Sequence, residues 1–299
     1  MNDDKKTAAG NAIKSVTNIG IATNICLLAT KLAVGFFSGS IALVADGLHS
    51  LSDITTDVAV LLGYHFGSKE PDTKHPYGHG RIETFSAGFI AFFLICVGSA
   101  MICYAAIDIA KGKIAKPGMP VLVVAIISVV AKELLYRLTR KVAIKWHSPA
   151  LYANAWHQRS DALSSVAVVA GFLSIRWFGF EYGDQLAAVA VGLMIILVGI
   201  HIAGDCLREL TESAADSSTI EHIKRIIESD SSIHHWHKLR TRTVGREVFL
   251  DLHILVEPDL SVTAAHQITE NLEKALDEQI TRPINITIHI EPDTPELRK

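Results

Sequence analysis

Six apolar runs, each long enough to cross a bilayer, follow one another with short polar breaks at about 13–36, 41–67, 82–110, 118–144, 149–178 and 184–210. A helical span needs about 20 such residues. After Glu212 charged residues become frequent and no run reaches that length. The small polar stretch 213–218 marks the change, so the pattern predicts a membrane all-α six-helix transmembrane domain over 1–212 and a second domain over 213–299. In the latter, Ile220, Ile223, Ile226 and Ile227 give 219–229 helical spacing. Leu239–Val244 and Glu247–Val256 read as a hairpin turning at Val244 and Gly245. An amphipathic helix over 262–279 and an alternating strand from Ile284 to Ile290 follow. This order predicts a cytoplasmic α+β domain of ferredoxin-like, αββαβ type. At under 90 residues its core is small, and dimerisation would help it.

Composition agrees. Hydrophobic residues make up 49% of the chain, mean hydropathy is +0.30 and 20% of residues are charged, against about 25% in soluble domains. The net charge of −3 carries no nucleic-acid footprint. Cys26, Cys96, Cys103 and Cys206 lie in apolar stretches with no CxxC, and read as small buried hydrophobes. Met1–Gly10 has no signal-peptide core, so the first run is expected to remain as a span. Lys and Arg near the span ends set orientation. With the N-terminus cytoplasmic, ten lie inside (Lys5, Lys6, Lys14, Lys69, Lys74, Arg81, Arg137, Arg140, Lys141, Lys145) and four outside (Lys111, Lys113, Lys116, Arg176). An even span count then leaves both termini in the cytoplasm. Trp156 and Trp177 are spaced by roughly one hydrocarbon thickness, about 31 Å. They read either as interface anchors or as helix-packing residues.

Charges interrupt two of the spans. The second holds Asp46, His49, Asp53 and Asp57, spaced to share one helix face. The fifth repeats the theme with Asn154, His157 and Asp161. Each intramembrane acid costs about 2.5–3.5 kcal/mol by insertion scales and persists where it faces a bundle interior. The two helices run in opposite directions, and both His/Asp pairs fall about 12–18 Å deep. If the helices pack together, His49, Asp53, His157 and Asp161 converge. Two imidazoles and two carboxylates suit Zn²⁺, a borderline ion that takes N and O ligands tetrahedrally. Interhelical hydrogen bonding is the plainer alternative. After the second span, Asp72, His75 and His79 share a loop with Pro76, Gly78 and Gly80. They read as an ion-wrapping loop or as an ordinary polar one. The tail holds His234, His235, His237, His253, His266 and His289, with Glu291; that density makes a metal-binding tail a candidate.

Ser38–Asp53 (SGSIALVADGLHSLSD), His75–Glu83 (HPYGHGRIE) and His157–Ala162 (HQRSDA) together resemble the cation diffusion facilitator family, and the bacterial zinc/iron exporter branch in particular. The resemblance covers nearly the whole chain. It implies a homodimer in the inner (cytoplasmic) membrane that exports a divalent cation from the cytoplasm in exchange for protons. Zinc is the leading cargo, with cadmium, iron and cobalt as alternatives; the same ion would also serve structurally. It implies a transport site at His49, Asp53, His157 and Asp161, a loop site at Asp72, His75 and His79, and a cytoplasmic binuclear site at His237, His253, His266 and His289 with Glu291 bridging. Some members of the branch carry Asp where this chain has His49 and where it has Glu291. The family's charged pair at the dimer contact maps to Arg81 and Glu212. Asp46, one turn outward of His49, is a candidate proton relay or a simple hydrogen-bonding residue. The implied protein is a secondary active metal/proton antiporter and not an enzyme; a zinc protease would need HExxH, which is absent. A non-transporting metal sensor or scaffold is the competing reading.

Overall fold

The structure is a computed structural model describing residues 3–38, 41–112, 119–178 and 183–298; the side chains of 3–6, 41–52 and 171–184, with a few others inside the helices, lie outside the described residues. Two compact units emerge, Ala8–Cys206 and Leu207–Lys299 with Met1–Thr7. Among the described residues, six long helices occupy the predicted segments: α1 Asp3–Ser38, α2 Ile41–Gly67, α3 Arg81–Ala110, α4 Met119–Lys145, α5 Pro149–Phe178 and α6 Gly183–Leu210. Local chemistry explains the break between α4 and α5. Ser148 Oγ accepts the Leu151 N–H at 3.3 Å, as an N-cap should, and donates to the buried carboxylate of Glu83 in the first turn of α3.

All six helices contribute to one apolar core, including Ile13 and Val16 of α1, Val60 of α2, Ile90 and Leu94 of α3, Ala143 of α4, Leu151 of α5 and Ile195 of α6. α3 and α6 cross closely. A methyl group built on Gly98 would stand 2.7 Å from the Gly192 carbonyl oxygen, so the contact needs glycine, as small-residue crossings between membrane helices do. The surface reverses the arrangement of a soluble protein. Phe85, Phe89 and Phe92 of α3, Leu134 and Leu138 of α4 and Leu193 and Leu197 of α6 face outward. Asp53, Asp57, Lys132, Asn154, His157 and Asp161 are buried. Such an inside-out bundle suits hydrocarbon surroundings. By length and apolar composition alone, Thr7–Val34 and Arg81–Ala110 qualify as spans, at mean hydropathy 1.3 and 2.4.

Two expectations change. Only Cys206 of the four cysteines is buried; Cys26, Cys96 and Cys103 are exposed. An apolar run does not tell a core-facing position from a lipid-facing one, since lipid tails are as apolar as a core. Trp156 packs against the bundle core, 5.7 Å from the Tyr136 ring and 5.5 Å from the Arg159 guanidinium, which favours packing over anchoring; the side chain of Trp177 lies outside the described residues.

The second unit contains α7 Ser217–Ser229, β1 His235–Val244, β2 Glu247–Val256, α8 Val262–Gln279 and β3 Ile284–Pro292. β1 pairs antiparallel with β2, and β2 parallel with β3. The hairpin turns at Gly245, whose φ of 58° explains the glycine. β1 starts at His235, earlier than the expected Leu239. A register shift between His237 and Arg240 accommodates Lys238 at φ 50°, and that bulge breaks the alternation that would reveal the strand. Leu250, Leu252, Ile254 and Val256 pack with Ile223, Ile227, Leu272 and Leu276 of the helices.

Asp216 caps α7. Burial opposes its charge, but hydrogen bonds from the Ser218 and Thr219 hydroxyls and the Thr219 N–H outweigh this and hold the carboxyl at about 2. A lowered folded-state value stabilises fully above the ordinary 3.8 and is lost as pH falls towards 2. Asp216→Ala should therefore cost the unit about 0.5–2 kcal/mol at neutral pH, read as faster hydrogen exchange in α7, and the gap from wild type should close on acidification from about pH 4 towards 2. An equal gap at both extremes would remove the cap's assigned role.

Candidate functional site

His157 and Asp161 lie one turn apart on α5, facing Asp53 of α2. All three are buried, and one ligand atom from each lies within 4.8 Å of the others. His157 Nε2 is 3.6 Å from Asp53 Oδ1 and 4.0 Å from Asp161 Oδ2. Neither ring nitrogen of His157 has a hydrogen-bond partner among the described residues, and Phe93 meets the ring edge-on at 5.7 Å. Leaving a buried imidazole unbonded is expensive, whereas nitrogen aimed at two carboxylates fits a metal ligand. His49 and Asp46 lie on α2 with side chains outside the described residues.

Lys132, which the pattern of spans does not single out, completes the cluster. Its Nζ donates to Asp53 Oδ2 and to Asp161 Oδ2, both at 2.9 Å. Its side chain is 2% exposed, and it sits thirteen residues from each end of α4. The sequence carries one signal for it: a lysine beside Glu133 that follows thirteen uncharged residues (119–131) in mid-helix, where a buried charge calls for a partner.

One turn further along α2, Asp57 is buried for a different purpose. It accepts from Asn24 Nδ2 of α1 at 2.9 Å and from Asn154 Nδ2 of α5 at 2.7 Å, with Gln158 Nε2 at 3.5 Å. Gln158 Oε1 accepts in turn from Thr139 of α4 at 3.4 Å. This network ties four helices together beside the ligand cluster.

The loop after α2 also brings its three residues together. Asp72 Oδ1 is 3.2 Å from His75 Nδ1, Asp72 Oδ2 is 3.4 Å from His79 Nε2, and the two rings lie 4.4 Å apart. The His75 backbone N–H holds the Asp72 carboxyl below its ordinary value against desolvation, helped by the Lys74 N–H and the His75 ring.

In the second unit, strand register builds the third cluster. His237 is opposite His253 across β1 and β2, and His253 is opposite His289 across β2 and β3. The rings follow at 5.2 and 4.6 Å. Glu291, two residues beyond His289, shares its face. Its carboxylate lies 3.0 Å from His237 Nε2, 2.9 Å from His253 Nδ1 and 3.6 Å from His289 Nε2. His237 Nε2 and Glu291 Oε2, both buried, face each other at 3.0 Å as an ion pair without hydrogen-bond geometry, and an N/O donor set of this kind fits zinc. His266 is not brought into this group; on α8 it faces Glu270 at 3.5 Å. Glu212 pairs with Arg242 at 3.3 Å inside its own unit, and Arg81 opens α3 in the other.

Residues 18–211 match the family model described as the cation efflux transmembrane domain, and residues 215–293 match that of the cation efflux protein cytoplasmic domain. Metal tolerance protein 2 of Oryza sativa subsp. japonica is 33% identical over 94% of this chain and 79% of its own length. The manganese efflux system protein MneP of Bacillus subtilis (strain 168) is 30% identical over 93% of this chain and 96% of its own. Magnetosome protein MamB of Magnetospira sp. (strain QH-2) is 31% identical over 90% and 92%. Among solved structures, the metal-bound C-terminal domain of the CzcD transporter from Thermotoga maritima matches at 30% identity, covering 25% of this chain and 87% of that one, with a TM-score of 0.24.

The Glu291 carboxyl is held below its ordinary value. A hydrogen bond with His253 lowers its value against desolvation, and the charges of His237, His253 and Lys238 add to this. Metal takes only the neutral form of an imidazole, so binding at this cluster should weaken on acidification. Excess zinc at neutral pH should raise the temperature at which the second unit unfolds, and His289→Ala should reduce that rise. The measurement is calorimetry of the full chain; equal shifts in wild type and variant would dismiss the cluster as a zinc site.

Proposed function

The chain belongs to the cation diffusion facilitator family of membrane metal-efflux transporters, and from that membership we propose that it exports zinc from the cytoplasm through Asp53, His157 and Asp161, with His49 as fourth ligand, in exchange for protons. The observation that carries this reading is the meeting of three ligands from two facing helices inside an apolar bundle. Two carboxylates offset the charge of a divalent ion, and imidazole favours a borderline metal over the harder manganese. The manganese efflux relative makes that choice a real one. Metal requires neutral imidazole, so protons and metal compete for the same nitrogens. A site opening to an acidic exterior would exchange its ion for protons, and Asp46, one turn outward in the sequence, is assigned either to relay them or to hydrogen-bond a neighbouring helix.

The rest of the architecture follows from the same reading. We assign six spans over 1–212, with both termini cytoplasmic in an inner membrane, and a ferredoxin-like cytoplasmic domain over 213–299 that binds metal and helps form a homodimer. Asp72, His75 and His79 are assigned to a loop site, and His237, His253, His266 and His289 with Glu291 to the cytoplasmic site. His266 would then act in a different grouping from the other three. Arg81 and Glu212 are assigned to the dimer contact, which Arg242 would share. A metal sensor or scaffold would bind at the same residues without flux.

Sealed proteoliposomes separate these functions. Zinc should cross faster than manganese, and faster with an opposing proton gradient than without. Asp53→Ala or Asp161→Ala should reduce flux by about a hundredfold, since a divalent ion is left one carboxylate short in a low-dielectric site. Zinc flux at the wild-type rate in either variant would refute the ligand assignment, and absence of flux in wild type would favour the sensor.

A further inference from the structure

Lys132 belongs to no ligand set, yet its ammonium stands at equal distances of 2.9 Å from Asp53 and Asp161. We propose that Lys132 is a tethered counter-cation, which takes the metal's place between the two carboxylates when the site is empty and must be displaced for a divalent ion to bind. This rests on the reading of Asp53, His157 and Asp161 as transport ligands, and adds what keeps their site releasable.

The geometry supports the exchange. Lysine is a compact point charge with three donors on a flexible four-carbon stem, able to serve two acceptors and to withdraw. It reaches the cluster from α4, a helix separate from those that carry the ligands. Charge explains the need. Two carboxylates alone would leave the buried cluster doubly negative, which holds a divalent ion tightly and makes the empty state costly. With the ammonium in place, one negative charge remains. A carrier must bind firmly enough to load and weakly enough to unload. A cation on a tether opposes binding, takes over the carboxylates as the ion leaves, and keeps the empty site near neutral while the helices return. A fixed brace joining α2, α4 and α5 would use the same contacts without this exchange.

The test uses the full chain with His75→Ala and His253→Ala, so that binding reports the membrane cluster. Lys132→Met keeps the stem and removes the charge. Zinc should then bind about tenfold tighter or more. Zinc–zinc exchange across proteoliposomes should persist while net export falls by about tenfold, because only net export requires return of the empty site. Lys132→Arg keeps the charge but forks across both carboxylates, so zinc should bind more weakly than in wild type. The affinity order Met, Lys, Arg together with the split between exchange and net export would establish the counter-cation. Unchanged affinity in both variants, or loss of exchange together with net export in Lys132→Met, would overturn it in favour of a brace. An Asp53→Ala chain that still exports zinc would instead overturn the ligand reading, and this proposal with it.

Discussion

A lysine ammonium held between two aspartates inside an apolar helix bundle is the interaction on which the transmembrane unit depends. Each carboxylate alone would cost about 2.5–3.5 kcal/mol at the centre of a span. Stripping one partner from a buried ion pair costs about 3–5 kcal/mol, because the remaining charge is left uncompensated. Asp53 on α2, Lys132 on α4 and Asp161 on α5 therefore require one another. Their helices must pack in one register for the charges to meet. Asp57, with Asn24, Asn154 and Gln158, extends the same demand to α1. The apolar faces outside this polar centre carry no such information, since phenylalanine and leucine there meet surroundings as apolar as themselves.

The second unit solves a comparable problem by another route. Its core is a sheet with two helices on one face, and the opposite face carries a row of histidines. Register places His237, His253 and His289 side by side, and the bulge at Lys238 lets β1 reach the row after its alternation is broken. Glu291 gathers the row because a two-residue step along β3 returns to the same face. Packing on one side thus fixes the chemistry on the other.

Much of this architecture is legible in the amino-acid sequence. The six long helices fall within a few residues of the apolar runs, except that α1 begins earlier, because a polar N-terminal extension can continue a helix without continuing the run. The i, i+4 spacing of His157 and Asp161 marks their shared face, and the loop motif places Asp72, His75 and His79 together. Lys132 escapes a reading by spans because a single lysine barely changes the count, while its meaning lies in partners on other helices, 79 and 29 residues away. Asp57 stands out as part of a stripe, but its role as an acceptor for three amides depends on packing between helices. The exposed cysteines and the early start of β1 are hidden for related reasons: neither lipid-facing positions nor a bulge leave a periodic trace.

Zinc export by this route requires zinc to bind inside the bundle at Asp53, His157 and Asp161. X-ray absorption at the zinc edge tests it most directly, on the full chain in lipid with His75→Ala and His253→Ala to silence the other clusters. Bound zinc should show a first shell of nitrogen and oxygen only, at about 2.0–2.2 Å, which disappears in Asp161→Ala. A sulfur-containing shell, or the same shell and zinc content retained in Asp161→Ala, would contradict it.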